Sequence, residues 1–330
     1  EKASTNLALY SEDFSSSYWN SASTGIAIDA DAITAPNGML TADKFKETVD
    51  WQGNLSNFHR KGQAVAVSSP AQTRVMSFYA KAAERNLVRF WSWGGAAADT
   101  TAKFFNLHDG TMSGTDTVSI DAVGNGWYRC SCLLPAGNNQ FVIGPAISTS
   151  NGNTNYLGVE GSGIYVWGAQ LEQGTYPTSY IPTTTTAVTR NADVLIAGDM
   201  VTNAAGSAYA EASSIWSTGV SHYLLQRGAN LFYMGGGTPT RIYTNDGSTI
   251  SFASGTTYQN IPTSMAATWG DALTTYMRGT AGSPALYDGT FGTGNLGIGN
   301  TNTGSAQWNG TIREVKIFDS ELTAEEVGDL

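Results

Sequence analysis

The chain is poor in charge: Asp, Glu, Lys and Arg make up 13% of its 330 residues, about half the usual share of a soluble domain. It has two cysteines, three histidines and nine prolines. No apolar run approaches the roughly 18–20 residues of a membrane-spanning helix, so no membrane span is expected. The scattered His59, His108 and His222 form no evident metal cluster with the cysteines. Helical periodicity is nearly absent, which excludes a helix bundle and leaves no heptad repeat to drive trimerisation. Seventeen basic against twenty-seven acidic residues give a net charge of −10. That balance repels phosphate backbones and argues against nucleic acid as a partner. Glu1–Thr5 holds no apolar leader core, so either a longer precursor is trimmed or no signal is used.

The two cysteines stand two apart, in Trp127-Tyr128-Arg129-Cys130-Ser131-Cys132. On a strand both point to one face. Their Cα atoms would be roughly 6.5 Å apart with parallel Cβ vectors, poor disulfide geometry. They read as small buried hydrophobes.

What the chain has is 41% hydrophobic residues, enough for a real core, and 38 glycines among abundant Ser, Thr and Asn. Short alternating segments recur between Gly, Asn, Asp and Pro. Examples are Arg74–Ala80, Phe141–Gly144, Gly163–Gly168 and Ile312–Phe318. Many short strands with frequent turn signals predict an all-β sandwich or barrel. One helix is expected, at the end: Thr323-Ala324-Glu325-Glu326 fits a capping box with Thr323 as N-cap, and Leu322 and Val327 fit a hydrophobic staple. The seam lies near residues 182–198, after the Thr183–Thr186 tract and before strand patterning restarts at Ala208–Ala212. The expectation is therefore two domains, 1–190 and 191–330.

Five segments occur in order along the first 180 residues. They are Asn6–Phe14 followed by Tyr18-Trp19; Ala35–Lys44; Phe78–Ala82 with Glu84-Arg85-Asn86; Asn125–Cys130; and Trp167–Glu172 continuing to Pro177–Thr184. Together they resemble a module of bacteriophage structural proteins and of environmental carbohydrate-binding proteins. That resemblance implies a jelly-roll sandwich like a carbohydrate-binding module, often a tail or virion component. The second half resembles a laminin-G-like or concanavalin-A-like jelly roll. Its basis is Gly310–Asp319, Leu322–Val327, Gly297-Ile298-Gly299 and Ala267-Thr268-Trp269. The fold expected is thus all-β, two tandem jelly-roll β-sandwich domains.

Candidate chemistry is sparse. Glycoside hydrolysis needs two carboxylates facing one cleft. The strand that carries paired acids in concanavalin-A-like glucanases is matched here by Tyr209–Trp216, which has only Glu211. Glu325 and Glu326 complement the helix dipole, and Glu12-Asp13 falls in an opening turn. His59-Arg60-Lys61 is the one histidine in a basic setting. A solvated loop is the plainer reading; a lyase base or an acidic-sugar contact is the livelier one. Gly235-Gly236-Gly237 lacks the Lys and helix of a phosphate loop and reads as a turn.

Aromatics are the remaining signal, with nine Trp, fifteen Tyr and twelve Phe. Ring faces stack on the C–H face of a sugar while neighbouring polar groups bond its hydroxyls. In Arg89-Phe90-Trp91-Ser92-Trp93, residues 89, 91 and 93 share one strand face. The plainer reading puts both tryptophans in the core and Phe90 outside; the reverse makes that face a groove. Trp51, beside Asp50, Gln52 and Asn54, is an exposed candidate. In the second half the candidates are Trp216, His222, Tyr223, Arg227 and Tyr233, while Trp269 reads as core. No cofactor is required. The resemblances leave room for calcium, for which Asp29, Asp31, Asp43 and Asp246 are available oxygen donors.

These readings converge on a non-enzymatic virion structural protein — tail, fibre or decoration — contacting host-surface glycans. Its partners would be other virion proteins and cell-surface polysaccharide, its site virion or extracellular, and its assembly a homo-oligomer, a trimer if a fibre. Two alternatives stay open: a secreted carbohydrate-binding protein of a polysaccharide-degrading system, and a lyase or hydrolase with an unrecognised site.

Overall fold

The computed structural model describes residues 1–21, 23–49, 59–65, 72–93, 102–113, 118–134, 140–149, 156–198, 200–201, 204–213, 222–227, 232–235, 240–255, 261–289, 291, 293–300, 308 and 310–330, with 232–235 and 240 described as backbone. It is almost entirely β and divides into two compact units. One is Ser4–Arg190; the other is Asn191–Leu330 with Glu1–Ala3.

In the first unit a six-stranded sheet runs in spatial order Ile26–Thr34, Leu40–Glu47, Gly163–Gln173, Arg74–Ala82, Trp127–Leu134 and Val118–Gly124. A five-stranded sheet runs Lys61–Ala64, Gln140–Ala146, Leu87–Trp93, Lys103–Asn106 and Met112–Ser113. Every pairing is antiparallel, as short strands joined by tight turns allow. Phe14, Trp19, Phe45, Phe78, Phe90, Phe105 and Phe141 fill the space between the sheets. Cys130 and Cys132 belong to this core, buried and unbridged.

The outer face of the six-stranded sheet is closed by the chain itself. Trp127 and Trp167 lie there, buried, with Tyr79, Tyr165 and Tyr180 packed against them. Tyr180 comes from the exit segment after the Gly163–Gln173 strand. Its ring centroid is 4.5 Å from that of Trp167, and its hydroxyl is 2.6 Å from Ser11 Oγ. Side chains of the Gly163–Gln173 strand and of the N-terminal segment hold this lid down. The Gln170 amide donates to the Thr178 and Ser179 carbonyls and its oxygen accepts from Ile181 N–H. Glu172 accepts from Ser4, Thr178 N–H and Thr178 Oγ1. Asn6 Nδ2 donates to Ala169 and Ile181 carbonyls. Gly168 has φ +63°, and a Cβ there would come within 2.9 Å of the Tyr79 ring, so glycine is required.

One buried ion pair joins a strand end to a neighbouring turn at one end of this sandwich. Glu47, with no exposed side-chain surface, accepts from Arg85 Nε at 2.6 Å and from its second nitrogen at 2.7 Å. Tyr156 Oη and Val159 N–H donate to the same carboxylate. Burial pushes Glu47 up, but these donors outweigh it and hold its pKa below the ordinary value.

In the second unit a six-stranded sheet runs Leu195–Ala197, Leu296–Ile298, His222–Gln226, Phe232–Gly235, Thr240–Asn245 and Ile250–Gly255. It faces a five-stranded sheet of Thr280–Ala281, Thr274–Met277, Thr263–Trp269, Gly206–Ala212 and Ile312–Phe318. Trp269 is fully buried against Phe291, the core position expected of it. The terminal helix is Ala324–Gly328 with the reciprocal Thr323–Glu326 capping box in place, and Val327 is buried beside Leu322.

Removing one partner of a buried pair strands the other charge, so Arg85→Ala should cost about 3–5 kcal/mol in the first unit. Chemical denaturation gives that number directly. A loss below about 1 kcal/mol would place Glu47 in contact with water.

Asp43 supplies a pH signature. It is 1% exposed and accepts from Phe14 N–H at 2.9 Å and Asp31 N–H at 3.0 Å. Burial nonetheless pushes it up to about 6 from the ordinary 3.8, helped by the charges of Asp13 and Asp31. Its folded pKa exceeds its unfolded one, so the fold gains stability as pH falls from 7 toward about 4 at this group. Glu47 acts oppositely: its stabilisation is lost as pH falls below about 4.5. Melting temperature should therefore rise by a few degrees between pH 7 and 5, then fall below pH 4. Asp43→Asn should flatten the upper limb; a limb unchanged by that substitution assigns it to another group.

Candidate functional site

The candidate site begins with parity on the Leu87–Trp93 strand. Val88, Phe90 and Ser92 are fully buried, while Arg89, Trp91 and Trp93 are half-buried on the other face. The plainer sequence reading, tryptophans inside and Phe90 outside, is thus reversed. The reason is the core. The Phe90 ring stacks at 6.3 Å from Phe78 and 6.4 Å from Phe141, a space of phenyl depth between aromatic neighbours on both sheets.

Register then assembles the outer face. Arg89, Trp91 and Trp93 stand opposite Gly144, Val142 and Gln140 of the neighbouring strand. A Cβ at Gly144 would lie 2.0 Å from the His59 carbonyl oxygen. Glycine there lets the His59–Arg60 backbone pass close, which delivers the Arg60 side chain to the same face. The Arg60 guanidinium carbon is 5.9 Å from the Trp91 ring centroid and that of Arg89 is 5.4 Å. Trp91 and Trp93 have centroids 5.3 Å apart, tilted by 38°. A water-sized cavity of about 10 Å³ lies beneath, bounded by His59, Arg60, Arg89, Gly144, Pro145 and Tyr156. Burial and the charge of Arg60 push Arg89 down to about 10; it stays cationic at neutral pH. Two indoles flanked by two guanidiniums can stack on a sugar ring and bond its hydroxyl or acidic groups.

His59 is not in a solvated loop. It is 4% exposed, with Nδ1 2.8 Å from the Gly25 carbonyl oxygen and Nε2 3.1 Å from that of Tyr156. Both nitrogens are engaged inward, so His59 positions Arg60 and does not face a ligand. The sequence offers Arg60 only as part of the basic His59-Arg60-Lys61 segment; its place beside Trp91 depends on the close passage of chain across Gly144.

Trp51 and Trp216 lie outside the described residues. In the second unit His222 and Tyr223 are half-buried, Arg227 is only 4% exposed, and the backbone pairing places residue 233 opposite Tyr223. Glu211 is paired with Arg313 at 3.0 Å. The second unit also holds a cleft of about 400 Å³ lined by Leu195, Ile298, Trp308, Ile312 and Val315, with Asp193 and Arg313 among its walls. Among the described residues no three His, Cys, Asp or Glu gather as a metal site. Asp29 pairs with Lys46. Asp246 accepts from Ser248 and Thr249.

No family model matches the chain, and no curated protein does. Among solved structures it is similar to a native heptameric SAP-like pentraxin from Limulus polyphemus, with 12% identity over 42% of this chain and 75% of that chain at a TM-score of 0.35. It is similar to the IT-sialidase CBM40 of Ruminococcus gnavus, with 11% identity over 42% of this chain and 95% of that chain at 0.31. It is also similar to domains LG4-5 of the mouse laminin alpha1 chain, with 10% identity over 78% of this chain and 84% of that chain at 0.26. The all-β sandwich architecture stands on the sheets themselves.

The two faces of the Leu87–Trp93 strand should separate in stability measurements. Phe90→Ala is expected to cost about 3–5 kcal/mol, and Trp93→Ala less than about 1 kcal/mol. Equal losses in urea denaturation would mean that both faces are core.

Proposed function

We propose that the protein binds polysaccharide without turning it over, through the outer face of the five-stranded sheet in its first unit. The observation that carries this reading is the Trp91–Trp93 pair, held half-exposed beside Arg60 and Arg89. The sandwich's other outer face has its aromatics under the Tyr180 lid. Trp91 and Trp93 supply the stacking surface, and the two guanidiniums bond hydroxyl or acidic groups of the sugar. No cofactor is needed for such contacts. Catalysis has less support: Glu47 is locked by four donors, and Glu211 pairs with Arg313.

The five ordered segments of the first unit favour a virion component that meets host-surface glycans. Neighbouring genes for capsid, portal or tail proteins are the expected context; genes for polysaccharide degradation would favour the secreted binding protein.

Glycan-array binding tests the site. Trp93→Ala should weaken the glycans bound by the unaltered chain at least about tenfold, which is 1.4 kcal/mol, with the melting temperature unchanged. Array profiles identical for Trp91→Ala, Trp93→Ala and the parent would refute it. Any turnover of a polysaccharide abolished by one point substitution would replace binding with catalysis.

A further inference from the structure

The second unit carries an aromatic row that only strand register reveals. Tyr223 pairs with residue 233, residue 233 with Tyr243, and Tyr243 with Phe252. Directly paired residues of antiparallel strands project from the same side of a sheet. That side is the outward one: Ile242, Thr244, Ser251 and Ala253, of opposite parity, are buried, whereas Tyr223, Tyr243 and Phe252 are half-buried. The Tyr243 and Phe252 rings have centroids 6.1 Å apart. The described rings, Tyr223, Tyr243 and Phe252, stand on three of four adjacent strands spaced at about 4.8 Å, hence about 14 Å from first to last.

Charge completes the face. Arg241 is exposed, two residues before Tyr243 and so on its side of the sheet. Its guanidinium carbon lies 4.8 Å over the Phe252 ring. Cation–π contact of this kind holds the planar group flat against the ring with its N–H edges directed sideways. In a chain with twenty-seven acidic residues, the six strands of this sheet contain no Asp or Glu. An anionic group approaching Arg241 meets no strand carboxylate.

We infer that this outward face is a second binding site, for a strand of acidic polysaccharide laid across the strands. Tyr223 and Tyr243, two strands apart, stack on alternate sugar rings, and Arg241 takes a carboxylate or sulfate of the strand as a charge-assisted hydrogen-bond acceptor. The span matches roughly three pyranose rings of about 5 Å each on the strand spacing. This site stands apart from the tryptophan face of the first unit and does not depend on it.

The test uses the full chain carrying Trp91→Ala and Trp93→Ala, so that the first face is silenced, with polygalacturonate, dextran sulfate and neutral dextran as probes in affinity electrophoresis. The expected result is retained retardation by polygalacturonate or dextran sulfate, and little by dextran. Adding Tyr243→Ala should raise the apparent Kd at least about tenfold. Adding Arg241→Gln, at an exposed position, should remove the preference for the acidic probes over dextran. If neither acidic polymer retards the silenced chain, or if Tyr243→Ala and Arg241→Gln leave retardation unchanged, the site does not exist. Should the first face fail to bind, the silenced chain simply behaves as the parent does, and the arms above still decide this face.

Discussion

The stacking of Phe90 between Phe78 and Phe141 fixes what the first unit can present to solvent. A strand has one degree of freedom of this kind, its parity, and a slip of one residue exchanges every side chain between faces. With Phe90 inside, Arg89, Trp91 and Trp93 have nowhere to go but out. Burying one phenyl ring in a close-packed slot is worth roughly 2–3 kcal/mol, and the alternative would force two larger indoles into the same depth. The site is therefore a consequence of core volume: it is made of the residues that the core excludes.

The same logic explains why only one of the two outer faces in this sandwich is a candidate. The six-stranded sheet has as many aromatics on its outer side, but Tyr180 and the exit segment cover them. Gln170, Glu172 and Asn6 each hydrogen-bond to that cover. These three polar residues are thus structural. Residues that bind their own backbone leave the recognition surface to strands whose side chains are free to differ.

Strands, core tryptophan and terminal cap were legible because each is a local pattern: Trp269 in an apolar run, Thr323 three residues before Glu326, alternation in Arg74–Ala82. Parity was not legible for Leu87–Trp93, since both of its faces are apolar enough to be core. His59 looked solvated because Arg60 and Lys61 follow it, yet carbonyls of Gly25 and Tyr156, far away in sequence, enclose its ring. Arg241, Tyr243 and Phe252 were missed, and Arg60 was read only as part of a basic segment, for a related reason. Each is unremarkable within its own segment, and only pairing between strands puts them beside a tryptophan or in a row. Local signals report element type and burial; sites on sheet faces are non-local sums over several strands.

The charge pattern makes sense of these faces together. A net charge of −10 repels an acidic polymer at a distance, but at physiological ionic strength such fields decay over about 8 Å. Arg60 and Arg89 both lie within 6 Å of the Trp91 ring, and Arg241 lies nearer still to Phe252. Inside that range the local guanidinium outweighs the screened field of remote carboxylates, which fall off both with distance and with salt. Long-range repulsion with short-range attraction slows encounter and does little to a formed complex. It also disfavours loose electrostatic adsorption to anionic surfaces that present no sugar ring for stacking. For a chain with so few charges, selectivity at the proposed faces would come from requiring two contacts at once, a ring face and an anion, at the spacing that the strands impose.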